Sequence, residues 1–445
     1  MGPANSNMYP QVLFKNRHPD RIATFEEYRA GGGYQALADA IAHRTQAEVR
    51  EIVLDAALLG RGGAAFPAGR KMMTIAEDAP HPRYIICNAD EMEPGTFKDR
   101  VLIHADPHLL IEGIILAAWS VAADRGIIFI RPEYENAARI LEREIGVAKA
   151  HSFLGPNILG TGYSFDIVVH RSAGRYICGE VTAQVNALMG QRANPRQPPP
   201  YLTQEGLWAK PTLVHNVETL ACLPHILQNG ADWFKGLART ATGAGTKIFG
   251  ISGKVKQPGC YELPIGTRLS EIIEECAGGM LDGSEFKACL PGGASTGFLP
   301  RQHYHVEMDF DALKKVGNRL GTGAIMVFDH KTCLVAATLN LMEFFARESC
   351  GWCTPCREGL PYIRDLLARI EAGEGEPEFV PMLEEMKVHL YRSYCAFAPG
   401  AAAPLESLLA HFKEELQEHI REKRCPFKKE PGQGVAELVK PRFIA

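Results

Sequence analysis

The sequence predicts an α/β protein: a Rossmann-like parallel sheet, then a small β-grasp-like α+β unit, then a helical bundle opened by a cysteine cluster. Three observations carry that expectation. Short β-rich runs alternate with helical segments between residues 83 and 171, as a parallel sheet requires. The texture changes near Gly243, where "TKIFGISGKVKQPGCYELPIGTRLSEIIEECAGGM" reads as strand, Pro-Gly turn, strand and helix. Finally, "ESCGWCTPCREG" sets Cys350, Cys353 and Cys356 at C-x2-C-x2-C spacing at the head of a helical C-terminal region.

A chain of 445 residues is long for one core and suggests roughly three domains. Its 48 basic and 52 acidic residues leave a formal charge of -4, no footprint for nucleic acid or an anionic membrane surface. The N-terminus lacks the apolar run of a signal peptide. Gly2 and Ser6 loosely match an acylation pattern that Pro3 fits poorly. The most apolar stretch, "HLLIEGIILAAWSVAA", is interrupted by Glu112 and too short to span a bilayer. A soluble, cytosolic protein is expected. Twelve cysteines in a reducing compartment point to metal binding, redox chemistry or burial rather than disulfides. Scattered ones such as Cys222, Cys276 and Cys289 read as small buried hydrophobes.

Residues 1–72 form a helical region that ends in a glycine-rich loop. In 73–242 the strands "RYIICNA", "RGIIFIRP" and "SFDIVVHR" alternate with an apolar helix from His104 to Asp124 and with "EYENAARILEREIGVAKA". Near-continuous apolar strands are what a sheet covered on both faces needs. Residues 243–335 make the β-grasp-like unit and 336–425 the bundle, with short antiparallel connections. Residues 426–445, polar with Pro and Gly, read as an extended tail.

Two residues between thiolates let both sulfurs converge on a metal. Three in a row favour an iron–sulfur cube over zinc, which usually takes two separated pairs. A ferredoxin-type run would put the fourth cysteine where Leu360 stands, so the fourth ligand is distant. Cys395 in "SYCAFAPG" and Cys425 in "RCPF" are the candidates; Cys395, between two helical stretches of the same bundle, is the simpler choice.

"GRGGAAFPAGRK", Gly60 to Lys71, nominally fits a degenerate dinucleotide fingerprint, but a helix-like segment precedes it where a Rossmann turn needs a strand. Its glycines, with Gly62 and Gly63 among them, still let backbone N–H groups approach an anion. Arg61, Arg70 and Lys71 supply charge, and Phe66 a ring to lie on a planar group. "CNADEMEPGTFKDR" follows the first strand at once. It crowds Asn88, Asp90, Glu91 and Glu93 where open sheets bind ligands. "GRYICGEVTAQVNALMGQRANPRQPPPYL" and "KPTLVHNVETL" add aromatic, amide and acidic groups in loops rich in Gly and Pro.

Taken in order from about residue 15 to 420, these motifs resemble the NADH-binding flavoprotein of bacterial respiratory complex I, the F-subunit family of NADH-quinone oxidoreductase. The resemblance implies an FMN in the α/β domain with NADH stacked over it, a β-grasp domain, and a 4Fe-4S cluster in the bundle. Its ligands by matched positions are Cys350, Cys353, Cys356 and Cys395. Gly60, Gly62, Lys71, Asn88, Asp90, Tyr176, Gly179, Glu180 and Asn216 would line the flavin, and Phe66 and Glu93 the nicotinamide nucleotide. Arg61, Gly63, Glu91, His215 and Thr219 complete the cofactor-binding set. The implied reaction is hydride transfer from NADH to FMN, then single electrons through the cluster toward quinone, with no catalytic side chain beyond the cofactors. The implied partners are a thioredoxin-like 2Fe-2S subunit and the large multi-cluster subunit of the peripheral arm, with the membrane reached only through that complex.

Several positions depart from the family pattern. Val181 stands where a second glutamate is common, which predicts a higher flavin potential. His215 precedes Asn216 in place of an Asn-Asn pair, Pro198 replaces a lysine beside Tyr201, and Thr74 replaces an apolar or aromatic residue. Competing readings are a diaphorase subunit of an NAD-linked hydrogenase or formate dehydrogenase, a complex I paralogue with another donor, and a non-catalytic scaffold stabilised by a cluster or zinc.

Overall fold

The computed structural model describes residues 9–428; the pattern at Gly2 and Ser6 and residues 429–445 of the expected tail lie outside them. Four parallel strands make the first sheet: β1 (Tyr84–Ala89), β2 (Arg125–Ile130), β3 (Asp166–Arg171) and β4 (Thr212–Asn216), in the order β3-β2-β1-β4. The chain therefore runs outward from β1 to β3 and crosses back to the far side of β1. That reversal between β1 and β4 is the switch point at which open α/β sheets bind ligands.

Period-two alternation divides the sheet between two cores. Ile85, Cys87 and Leu213 join the N-terminal helices, with Leu37, Val53, Ile111 and Leu220. Ile86, Phe129 and Val214 face the other way, into a core shared with the C-terminal bundle through Leu339, Phe345 and Leu405. The bundle thus covers one face of the sheet directly.

Two expectations are corrected. "TLVHN", expected in a loop, is β4; the preceding Pro211 cannot donate to a ladder, but the apolar, β-branched run after it fits a pleated sheet edge beside β1. The single helix expected from His104 to Asp124 is two, Lys98–Ala105 and Pro107–Ser120, bent by 102°. Asp106 makes the break: its carboxylate accepts from the Leu109 N–H at 3.1 Å, and Pro107 opens the next helix, where its missing N–H is harmless. Glu112 inside that helix is buried yet tolerated. It accepts from the N–H groups of Tyr34 and Leu37, at 2.7 and 3.0 Å, and from the Tyr28 hydroxyl. Among the described residues no single helix is long and apolar enough to cross a membrane, and the bent pair that passes jointly lies mostly in the core.

The second sheet is mixed, in the order β6-β5-β9-β7-β8: β5 (Thr246–Gly253), β6 (Gly259–Pro264), β7 (Phe286–Leu290), β8 (Leu299–Pro300) and β9 (Ala324–Asp329). The helical turn Leu269–Cys276 packs Leu269 and Ile273 against it, as the predicted α+β unit requires. An N-terminal strap docks here. Val12, Leu13 and Phe14 donate backbone N–H groups to the buried Glu262 carboxylate at 3.0, 2.9 and 2.9 Å. The bundle follows, with helices Leu334–Glu348, Thr354–Arg357, Gly359–Glu371, Phe379–Leu390, Phe397–His411 and Lys413–Glu422.

Candidate functional site

The crevice opens at the C-terminal ends of β1 and β4, where Asn88 pairs in register with Asn216. The Asn216 carboxamide caps helix Val217–Asn229 through the Glu218 N–H at 3.0 Å. It also donates to Asp99 at 2.6 Å and accepts from Lys98 at 3.2 Å. Lys98 is buried and offset by Asp99 and Glu218 at 2.6 and 2.9 Å. Neither Lys98 nor Asp99 stands out in the sequence, because a charge pair in "TFKDR" looks like any solvated turn.

The glycine-rich loop lies against this strand end. It is closed by Gly60 N–H to Phe66 O at 2.9 Å and Ala68 N–H to Leu58 O at 2.8 Å, and helix Gln46–Asp55, not a strand, precedes it. A Cβ on Gly62 would meet that of Asn216 at 3.2 Å, and Gly63 has φ +116°. Gly63 needs glycine for its backbone conformation, and at Gly62 a side chain would crowd Asn216. Arg61, expected to lend charge here, turns away. Its fully buried guanidinium donates to the carbonyls of Ala244 and Thr246 at 2.7 and 3.1 Å, while its N–H donates to Thr219 Oγ1 at 2.8 Å. Arg61 and Thr219 therefore anchor the loop from behind. Lys71 does face the crevice, donating to Val214 O at 2.8 Å. Burial pulls its ammonium down to about 8, against the opposing charge of Glu180. Phe66 is 52% exposed at the rim.

The acidic strap divides in the same way. Glu91 accepts from the N–H groups of Asp99 and Arg100, at 2.8 and 3.2 Å, and from Tyr134. It braces the start of helix Lys98–Ala105, and burial pushes it up to about 7. Asp90 takes the Ser172 hydroxyl on Oδ1, but Oδ2 is buried without a partner, and burial raises its carboxyl to about 6. Glu93 bridges Tyr176 OH and the Ser295 N–H, each at 2.6 Å, and burial raises its carboxyl. Gly293 must be glycine for Glu93 to come this close, since a Cβ there would stand 2.6 Å from the Glu93 side chain. Asn88 holds Gly179 O at 3.1 Å. Glu180 caps helix Val181–Leu188 through the N–H groups of Thr182 and Ala183. Val181 is thus the first residue of that helix. His215 is buried beside Lys71, with Nε2 unpartnered, and burial pulls it down to about 3; it stays neutral. Gln184 is fully buried with neither amide atom partnered. Nothing in the sequence points to it, because a lone glutamine on a helix carries no signal.

The four cysteines converge in the bundle. Cys350 follows helix Leu334–Glu348, Cys353 precedes and Cys356 lies within Thr354–Arg357, and Cys395 stands between Phe379–Leu390 and Phe397–His411. The Tyr394 N–H points at Cys353 Sγ at 3.5 Å, and Ser349 Oγ lies 3.1 Å from Cys356 Sγ. Burial pushes the Cys356 thiol to about 12, and the Cys353, Cys350 and Cys395 sulfurs add to the rise. Burial raises Cys395 to about 11, with Glu180 adding. Four thiolates brought together with no other ligand type suit an iron–sulfur cluster.

Shell and crevice are clipped together. Arg192 donates to Cys350 O at 2.9 Å, Gln197 donates to Tyr394 O, and the Tyr176 N–H donates to Glu348 at 3.1 Å. The Tyr176 ring stands edge-on to Phe344 and Phe397, each at 5.3 Å. The crevice, with an orphaned Asp90 oxygen, a close-approach glycine loop and a buried ammonium, fits a phosphate-bearing flavin.

Three known families match the chain: "Nuo51 FMN-binding domain" over residues 53–225, "SLBB domain" over 248–299, and "NADH-ubiquinone oxidoreductase-F iron-sulfur binding region" over 336–419. The chain is 48% identical to the NADH-quinone oxidoreductase F-subunits of Salmonella typhimurium and of Escherichia coli, over 92% of this chain and 93% of each relative. It is 45% identical to the NADH-quinone oxidoreductase F-subunit 2 of Rhizobium meliloti, over 94% of this chain and all of that one. Among solved structures, an NAD+-reducing [NiFe]-hydrogenase in the H2-reduced state superposes with TM-score 0.79 at 34% identity, covering 91% of this chain and 67% of that chain.

Proposed function

The chain belongs to the F-subunit family of NADH-quinone oxidoreductase, and on that premise we propose which of its residues hold FMN, NADH and a 4Fe-4S cluster as a flavin-dependent NADH dehydrogenase subunit. Bound in these sites, the flavin supplies two-electron acceptance from nicotinamide and the cluster single-electron transfer. The observation that carries the reading is the clip just described: Tyr176 and the loop after helix Val181–Leu188, through Arg192 and Gln197, tie the segment at the crevice to the segments that carry the four cysteines.

The backbone of Gly60, Gly62 and Gly63 would let the flavin approach closely, and Lys71 would offset its phosphate. Asn88, Asp90, Gly179, Glu180, His215 and Asn216 form the wall at the strand ends, Asp90 using its free oxygen. Glu93 and Tyr176 hold each other and would flank the ring system, and exposed Phe66 would contact the nicotinamide nucleotide. Arg61, Glu91 and Thr219 act one step behind, by fixing the loop and the strap. Cys350, Cys353, Cys356 and Cys395 bind the cluster once their protons leave.

The partners follow the same reading. Trp352, 57% exposed between two cluster ligands, marks the surface where a large multi-cluster subunit accepts electrons, with a thioredoxin-like 2Fe-2S subunit docking nearby. The protein then sits at the cytoplasmic face of the inner membrane through its complex. The hydrogenase-diaphorase reading is weaker, because the F-subunit relatives match at higher identity over nearly their whole length. The departures at Val181, Pro198 and Thr74 make the donor the point to test. Anaerobic titration of the FMN-loaded protein with NADH, and separately NADPH, should bleach the flavin rapidly with NADH. No bleaching by either, with dithionite still effective, would mean that electrons enter from a partner protein.

A further inference from the structure

We propose that Cys333, Glu371, His419 and Cys425 form a structural zinc site that fastens the C-terminal segment to the bundle, separate from the four-cysteine shell. All four residues are buried, and one ligand atom from each lies within 4.8 Å of the others. Cys333 Sγ stands 3.3 Å from His419 Nε2 and 3.6 Å from Glu371 Oε2, and Nε2 and Oε2 are 3.1 Å apart. Tetrahedral ligands held 2.0–2.3 Å from zinc are separated by about 3.3–3.8 Å. The side chains already sit at nearly that spacing.

The chemistry agrees on three counts. Two thiolates, an imidazole and a carboxylate make a mixed set that suits zinc, and four protein ligands make a closed, structural site rather than one with an open position. His419 Nδ1 lies 2.6 Å from Glu415 O. Donating to that carbonyl leaves Nε2 as a lone pair aimed at Cys333 and Glu371, the orienting hydrogen bond that metal-bound histidines have. The ligands carry three negative charges against the ion's two positive ones. The excess is met by Lys428, whose Nζ is 2.7 Å from the other Glu371 oxygen, and by the Ala336 N–H, which donates to Cys333 Sγ at 3.3 Å.

The ligands come from four places in the chain: the N-cap of helix Leu334–Glu348, the last residue of Gly359–Glu371, helix Lys413–Glu422, and the turn beyond it. An ion here ties that turn to three helices, at the start of the first and within the other two. It also occupies Cys425, leaving Cys395 as the fourth cluster ligand.

The test uses the full chain loaded with FMN and iron. Metal analysis should find about one zinc per chain that survives dialysis, and zinc K-edge absorption should show two sulfur and two nitrogen or oxygen neighbours. Cys333→Ser and Cys425→Ser should each lower zinc affinity at least tenfold, on the order of a ligand-shell loss, with iron and flavin unchanged. Four sulfur neighbours, undiminished zinc in both variants, or no uptake of added Zn2+ by the reduced protein would each overturn the proposal. A Cys333–Cys425 disulfide in protein purified anaerobically would do so too. If a variant fails to fold, the absorption spectrum of the unaltered protein decides.

Discussion

Helix Leu334–Glu348 has a different donor set at each end, about 22 Å apart for its 15 residues. At its C-terminal end Cys350 opens an all-thiolate shell, near a crevice whose Asp90 and His215 side chains each leave a buried atom without a partner. At its N-terminal end Cys333 belongs to a compact mixed set whose members already contact one another. Burial differs too, since Cys350, Cys353 and Cys395 are half-buried whereas all four distal residues are buried. A further difference lies in satisfaction. Groups prepared for a large ligand are left unpaired, and groups prepared for one small ion have converged.

The sharpest way to break this contrast is to exchange the damage. Cys353→Ser should remove the cluster, with iron falling from about four per chain toward zero and its EPR signal lost. Cys333→Ser should leave iron intact. Iron loss in both would make the two ends one assembly. Next in size, Cys425→Ser should lower Tm by about 2–3 °C, the equivalent of about 2–3 kcal/mol for a chain of this length, while flavin content holds. An unchanged melting curve would reduce the distal set to a passive hydrogen-bond network.

The crevice predictions test whether its groups are held ready at a cost in stability. Asp90 has its carboxyl raised from 3.8 to about 6, so the native state binds the proton more tightly than the unfolded state. The penalty is absent below about pH 4, grows through pH 6 and persists at pH 7. Asp90→Asn should therefore stabilise flavin-free protein by about 1–3 kcal/mol at pH 7 and not at pH 4, with weaker flavin binding. Denaturant curves at the two pH values decide it. Lys71 is lowered to about 8 in the flavin-free protein, so it loses its charge as pH rises through 8. The flavin dissociation constant should rise by up to about tenfold per pH unit above that point, and Lys71→Met should flatten the profile. The smallest effect is at Val181. Val181→Glu restores a carboxylate at the start of helix Val181–Leu188 and should lower the flavin potential by on the order of 30 mV, about 1.4 kcal/mol. An unchanged potentiometric titration would place residue 181 too far from the ring to matter.

Much of the frame is legible in the chain itself. Strand–helix alternation announces β1 to β3, and close spacing announces Cys350, Cys353 and Cys356. Local signals fail where the cause is distant. β4 hides behind Pro211 and becomes a strand only because β1 offers it an edge. The break at Asp106–Pro107 is written in a capping residue and a proline, but the apolar run around them masks it. The distal tetrad spans residues 333–425 with no spacing pattern, so only the fold brings it together. Within the crevice, sequence supplies the right segments without saying which side chains face inward. Arg61 and Glu91 point behind the wall, and a charged residue in a motif does not announce its rotamer.

The strap at Val12 to Phe14 sets an order on the birth of the molecule. Its three N–H groups are satisfied by a carboxylate about 250 residues later in the chain. At about 5–20 residues per second, a ribosome takes about 12–50 s to deliver that acceptor. The strap leaves the tunnel well before its acceptor and is therefore among the last segments to settle, and it stays accessible to chaperones and proteases until the second sheet has been made.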